Sequence, residues 1–121
     1  MKVLSHRGLG GHYTTGGAIN GRPVRFMVDT GATVIALGQA EADRLGLPWR
    51  GGERTLTQTA NGPVAVHRVS LDRVRVGEVE LNNIAAVVVP AAMPYVLLGN
   101  SFLSRFQLAR DSDVLRLELK R

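Results

Sequence analysis

The chain has 121 residues, 45% of them apolar, a net charge of +5 and no cysteine. That length suits one domain with a real core, and the even spread of apolar residues marks a globular chain, not a disordered one. The missing cysteines exclude disulfides, thiolate catalysis and Cys-ligated zinc. The longest apolar run, around Ile84 to Val89, is far short of the roughly 20 residues of a membrane helix. Met1 to Leu9 contains no secretory apolar segment. Arginine supplies nearly all the positive charge, scattered along the chain, as at Arg44, Arg68 and Arg116, and aromatics are only 5%. Nucleic-acid surfaces concentrate charge in a patch or stripe, so this pattern reads as solvated strand faces.

In chain order, residues 1–11 are polar and glycine-rich and read as a flexible arm, with room for a short strand at Lys2-Val3-Leu4. Residues 12–121 form the domain. Gly8-Leu9-Gly10-Gly11 lacks the spacing and the preceding strand of a dinucleotide-binding loop. His12 to Ile19 reads as a strand. Asn20-Gly21 then predicts a type I′ hairpin turn, because both central positions need positive φ. Pro23 to Val28 is the return strand. Gln39 to Leu45 is a short helix with acids near its start, stopped by Gly46 and Pro48. Thr55 to Thr59 and Val64 to Val69 flank a second Asn-Gly, Asn61-Gly62, and read as another hairpin. Apolar alternation then changes phase, predicting bulges or bends near His67 and Asp72. Gly77-Glu78 turns the chain into a short strand at Val79 to Leu81. Ile84 to Val89 is apolar throughout, as expected of a strand buried on both faces. Val96 to Leu98 is a further strand. Asn100 or Ser101 is placed to cap a helix from Phe102 to Phe106, and the strands Gln107 to Arg110 and Val114 to Leu119 close the chain. The sum is mainly β, a small closed barrel with one or two short helices.

The stretch that concentrates the chemistry is Phe26-Met27-Val28-Asp29-Thr30-Gly31-Ala32-Thr33. An apolar strand breaks into an acid, a hydroxyl and a glycine, and apolar residues resume at Val34. A carboxylate at the end of a buried strand is costly unless it is hydrogen-bonded, paired or protonated, and small residues after it let backbone N–H groups approach. On residues alone, Asp29 fits either a structural turn acid or a catalytic one. The run Asn-Gly-Arg-Pro-Val-x-Phe-x-Val-Asp-Thr-Gly-Ala-Thr, Asn20 to Thr33, resembles the active-site loop of retropepsin-like aspartic proteases, most of all their bacterial branch. A second element, Tyr95-Val96-Leu97-Leu98-Gly99-Asn100, resembles the apolar-apolar-glycine signature near that family's C-terminal helix. The resemblance covers Gly11 to Leu119.

The resemblance implies an acid-protease barrel with Asp29 as the catalytic residue. Thr30 would bond across a dimer axis, Gly31 and Ala32 would aim N–H groups at the carboxylate, and Thr33 would anchor the outgoing strand. Leu98 and Gly99 would pack under the loop. Thr57-Gln58-Thr59-Ala60-Asn61-Gly62-Pro63-Val64 resembles the flap that closes over substrate, an extended peptide or unfolded protein. No cofactor or metal is implied. Aspartic-protease chemistry needs two carboxylates about 3 Å apart sharing a proton, and the chain has one Asp-Thr-Gly. The second Asp29 must come from another copy, so a two-fold homodimer follows. In viral relatives both chain ends interleave across that dimer. Here Val114 to Leu119 ends in Lys120-Arg121, and like charges side by side would oppose such pairing. A weaker dimer, favoured by mild acid and bound peptide, is expected. Bacterial relatives can carry an N-terminal membrane anchor ahead of such a domain, which leaves a periplasmic or membrane-anchored location open. Within this chain neither membrane contact nor nucleic-acid binding is expected. Two rival readings share the data: a non-catalytic dimeric peptide-binding module of the same fold, and a basic nucleic-acid-binding β-barrel.

Overall fold

A computed structural model describes residues 2–7, 12–111 and 113–120. Strand β2, Tyr13–Ile19, turns into β3, Arg22–Val28. The turn residues Asn20 and Gly21 have φ of 51° and 82°, as a type I′ turn requires. The Asn20 N–H donates to Arg73 O at 2.9 Å, and its Oδ1 accepts from Arg73 N at 3.0 Å, which ties the hairpin tip to the next sheet segment. After the Asp29 loop, β4, Ile35–Gly38, runs directly into α1, Gln39–Arg44. Glu41 and Arg44 pair one turn apart at 2.6 Å, and the helix ends at Gly46 with φ of 71°. A 3-10 turn at Trp49–Gly51 follows.

The next three strands correct the sequence reading in detail. Strand β5, Arg54–Thr59, pairs with β6, Gly62–Val76, through Thr59 opposite Gly62. The turn is therefore Ala60-Asn61, one residue earlier than Asn61-Gly62. Gly62 takes the positive φ, 105°, as in a type I turn closed by a glycine bulge. Strand β7, Val79–Val89, is one strand where two were expected. It pairs with β6 in a single register, from His67 opposite Val88 to Val76 opposite Val79. No bulge lies at His67. The change of phase there reflects burial of Val66 on one face of β6 and of Leu71 on the other. At Asp72 the ladder skips one pair, and the residue across from it, Asn83, has φ of 56°. That distortion moves the core face from Leu71 to Val74. Ile84 to Val89 is also not buried on both faces. Ile84, Ala86 and Val88 enter the core, whereas Ala85 is exposed and faces a groove described below.

The chain ends with β8, Val96–Leu98; α2, Asn100–Leu103; β9, Phe106–Asp111; and β10, Val114–Leu119. Strands run in the order β6-β7-β4-β8-β3-β2, and a β2–β6 pairing closes them into a six-stranded barrel. This is the small closed barrel read from the sequence. Its core centres on Ile19, Phe26, Ile35, Leu37, Leu71, Leu98 and Phe102, all fully buried; burial of side chains this size contributes about 1.5–3 kcal/mol each.

Strand β1, Lys2–Arg7, extends the sheet beyond the barrel. It pairs with β10 from Lys2 opposite Glu118 to His6 opposite Val114, and with β2 at His6 and Arg7. The strand expected at Lys2 to Leu4 thus runs on to Arg7. Gly8 to Gly11, also assigned to the arm, lie outside the described residues. Strand β10 is flanked by β1 and β9 of its own chain. Both of its edges are already occupied.

The single tryptophan offers a probe of this packing. Trp49 Nε1 donates to Asp43 Oδ1 at 2.9 Å, the Arg50 guanidinium lies 4.4 Å above its ring, and His67 meets it edge-on at 5.1 Å. The Trp49 bond, then the Arg50 bond, hold the Asp43 carboxyl below its ordinary value of 3.8. A carboxylate favoured by folding contributes stability that is complete above the ordinary value and is lost as pH falls through the lowered one. Trp49 emission should therefore change below about pH 4, as Asp43 takes up its proton. Asp43→Asn should remove that acid-dependent step while leaving the neutral-pH fold, as read by circular dichroism, unchanged.

Candidate active site

Val28 is the last residue of β3 and pairs in parallel with Leu98 of β8. One step later the Asp29 N–H donates to Leu98 O at 3.1 Å, so the pairing carries the chain straight into the loop. The carboxylate is half-buried and its Oδ1 accepts the Gly31 N–H at 3.0 Å. Ala32 does not aim at the carboxylate; its N–H closes the turn on the Asp29 main-chain carbonyl at 3.1 Å. Thr30 is exposed at the loop crest.

The loop rests on the start of α2. Gly99 N-caps that helix without a side-chain bond. A methyl group on Gly99 would strike the Val34 carbonyl and lie 2.9 Å from Ala32 O, so only glycine fits this approach. The Asn100 N–H donates to Ala32 O at 2.8 Å, and its Nδ2 donates to Thr30 O at 2.8 Å. Ser101 Oγ accepts the Ile35 N–H at 3.1 Å and donates to Ala85 O at 2.8 Å. The sequence reading placed Asn100 and Ser101 as helix caps and missed this role. Their side chains instead tether the two ends of the Asp29 loop. The available signal was their position beside Leu98-Gly99, where a loop carbonyl left by the turn needs a donor.

Asp29 and Thr30 open onto a hollow of about 550 Å³ shared with His12, Tyr13, Leu108, Arg110 and Leu115. The Arg110 guanidinium sits 5.9 Å above the Tyr13 ring. Leu108, Arg110 and Leu115 come from the β9–β10 hairpin, about eighty residues from the loop in sequence; no local pattern announces that neighbourhood. A second groove, about 420 Å³, runs between the β5–β6 hairpin and the outer face of β6 and β7. Thr33, Val34, Thr57, Arg68, Ala85 and Val87 are among its lining residues. Of the described side chains from Thr57 to Val64, Thr57 alone lines the groove. Gln58, Ala60, Asn61 and Pro63 are exposed around the hairpin tip. Leu56, next to Thr57, is 70% exposed. Among the described residues no three His, Asp or Glu side chains converge as a metal ion would require.

Comparison with known proteins places this arrangement. Residues 15–105 match the family described as "gag-polyprotein putative aspartyl protease". An uncharacterised protein of Sinorhizobium is 34% identical over 97% of the chain. An uncharacterised protein of Rickettsia prowazekii is 36% identical over 96%. The chain spans about half the length of these curated relatives, 52% and 51%. Among solved structures, a retropepsin-like aspartic protease from Rickettsia conorii superposes with a TM-score of 0.84 at 34% identity, covering 97% of this chain and 89% of that one. The EIAV protease, in complex with the inhibitor HBY-793, superposes with a TM-score of 0.63 at 23% identity over 79% of this chain and 88% of that one, a likeness of fold. On sequence and on structure, the chain belongs to the retropepsin-like aspartyl protease family.

Proposed function

We propose that the chain is an aspartic endopeptidase acting as a two-fold homodimer, with Asp29 from each copy forming the catalytic pair. The observation that carries this reading is the Asp29 loop: a half-buried carboxylate with one oxygen held by the Gly31 N–H, at the edge of an open hollow. The turn bond alone would also suit a structural acid; the open hollow beside the carboxylate and the family match over residues 15–105 favour the catalytic reading. In the mechanism one Asp29 carboxylate takes a proton from a water molecule. The water oxygen bonds to the scissile carbonyl carbon while the other Asp29, protonated, gives its proton to the carbonyl oxygen. Collapse of the resulting diol breaks the C–N bond as a proton passes to the leaving amine. No cofactor or metal enters.

The substrate is an extended peptide lying between the active-site loop and the β5–β6 hairpin. Thr33 at one wall and Thr57 at the other mark its track. Main-chain pairing supplies much of its affinity, as in other strand-addition complexes, and the exposed Leu56 supplies apolar surface that a closed hairpin would lay on the peptide.

Asp29→Asn should abolish cleavage of a denatured protein while leaving thermal unfolding within a few degrees of the parent, since the amide keeps the shape and cannot act as a base. Parental cleavage in that variant would refute the assignment. The reaction needs one carboxylate ionised and one protonated, so rate against pH should be a bell with its optimum on the acid side of neutrality. A rate still rising at pH 9 would indicate another nucleophile. Asn100→Ala leaves the exposed Thr30 carbonyl without its protein donor. As a positioning residue it should lower kcat by about tenfold with KM and the optimum pH little changed; a change confined to KM would place Asn100 in substrate binding instead.

A further inference from the structure

Among the described residues, Arg68 is the one charged residue lining the groove between the β5–β6 hairpin and the outer face of β6 and β7. Strand periodicity puts it there. Side chains two apart share a face, so Val66, Arg68 and Ser70 stand on one side of β6. The register sets Arg68 opposite Val87 and Ser70 opposite Ala85 on β7. These neighbours are apolar or carry a hydroxyl, and none can neutralise a guanidinium. The main chain at Arg68 is clamped against the segment that enters β5. Its N–H donates to Glu53 O at 2.8 Å, and a methyl group on Gly52 would strike its carbonyl. The Arg68 side chain is exposed and makes no ion pair among the described residues. Arg44, Arg50 and Arg116 by contrast pair with Glu41, Asp43 and Asp111. Glu53, bonded to Arg68 through main chain only, does not line the groove.

We propose that Arg68 selects peptides carrying a glutamate or aspartate at a position away from the scissile bond. The inference rests on the reading that an extended peptide occupies this groove. A solvated surface arginine needs no partner, but a peptide lying in the groove displaces water from around this one. A neutral side chain placed there leaves the cation partly desolvated and unpaired, which is costly. A carboxylate instead forms charge-assisted hydrogen bonds with the guanidinium, the stronger kind. A lysine or arginine meets a like charge and is rejected. Asp29 lines the other hollow and Arg68 does not, so the peptide residue that meets Arg68 is not the one being cleaved. A two-fold dimer carries a second Arg68, which places the same selection at a matching position on the other side of the bond.

The test uses peptides of one cleavable sequence in which glutamate, glutamine or lysine is scanned through each position. The measurements are made at about pH 6, where a peptide glutamate is ionised. At one position on each side of the cleaved bond, kcat/KM for glutamate should exceed that for glutamine about fivefold, the upper range of a partly exposed ion pair. Elsewhere the two should be equal. A ratio of two peptides on one preparation is unaffected by any loss of folded protein. Arg68→Gln should erase the preference, and Arg68→Glu should reverse it in favour of lysine. Arg73→Glu makes the same change of charge on the same strand outside the groove and should keep it. Loss of the preference in that variant too would assign it to the net positive charge of the chain and overturn the proposal. Cleavage without an acid preference, or with one that survives Arg68→Gln, would overturn the proposal and leave the protease reading standing. Fluorescence anisotropy of labelled peptides on Asp29→Asn reads the same preference as binding. Binding of the glutamate peptide that depends on Arg68, in a chain that cleaves nothing, would keep this contact and reject the protease reading. A chain that neither binds nor cleaves any of the peptides would overturn both.

Discussion

Between Val28 and Ser101 two stretches of main chain come as near to each other as backbone can. The Gly99 backbone lies against the Val34 and Ala32 carbonyls with no space for a side chain. Three hydrogen bonds seal the approach: Asp29 N to Leu98 O, Asn100 N to Ala32 O, and Asn100 Nδ2 to Thr30 O. Their consequence is that the main chain carrying Asp29 is held by backbone groups and one short amide side chain. Main chain embedded in a barrel of fully buried residues moves little, and rigid support from a packed scaffold is what a catalytic group requires. The parallel β3–β8 pairing delivers Asp29 to the seat, and the antiparallel β4–β8 contact at Ala36 and Leu97 takes the chain away from it. The barrel can be understood as the structure needed to bring those three short strands together.

The same seat explains why Ser101 matters although it touches neither Asp29 nor the hollow. Its hydroxyl links Ile35 N to Ala85 O, joining the exit of the loop to β7. Strand β7 is also a wall of the groove beneath the hairpin. One side chain therefore connects the position of the loop to the position of the peptide track. Paired backbone groups that are buried cost more to leave unsatisfied than they contribute when satisfied, so such links keep geometry fixed more than they raise stability.

How much of this was legible in sequence depends on range. The type I′ turn at Asn20-Gly21, the helix stop at Gly46 and the strand Val114–Leu119 are dictated by neighbouring residues, and they were readable. The break at Asp29 after β3 was readable because an acid interrupting an apolar strand is costly. Asn61-Gly62 misled by one position: Gly62 uses its positive φ after the turn, and the dipeptide alone does not distinguish the two geometries. The phase changes in β6 misled for another reason. Strand burial depends on what covers each face, and β6 leaves the β5 hairpin at one end and joins the barrel beside β2 at the other. Asn100 and Ser101 have the composition of helix caps, and their actual partners lie 70 and 66 residues away or, for Ala85, 16. Long-range partners of this kind leave no periodic trace.

The pairing of β1 with β10 bears on how such a site could be controlled. A chain whose ends are exchanged with a partner cannot separate without unravelling part of its sheet. Here β1 and β10 are paired within one chain, and the open edge beside them is that of β9. Leu108 is the one large apolar residue exposed at that edge among those described. A peptide touching both halves would add its own contacts to the dimer and not to the monomer, and binding to one state alone shifts the equilibrium toward it. In the proposed dimer this favours a site that is completed in the presence of substrate and taken apart in its absence. Each folded chain carries one Asp29 carboxylate on its seat, and the proposed reaction needs two.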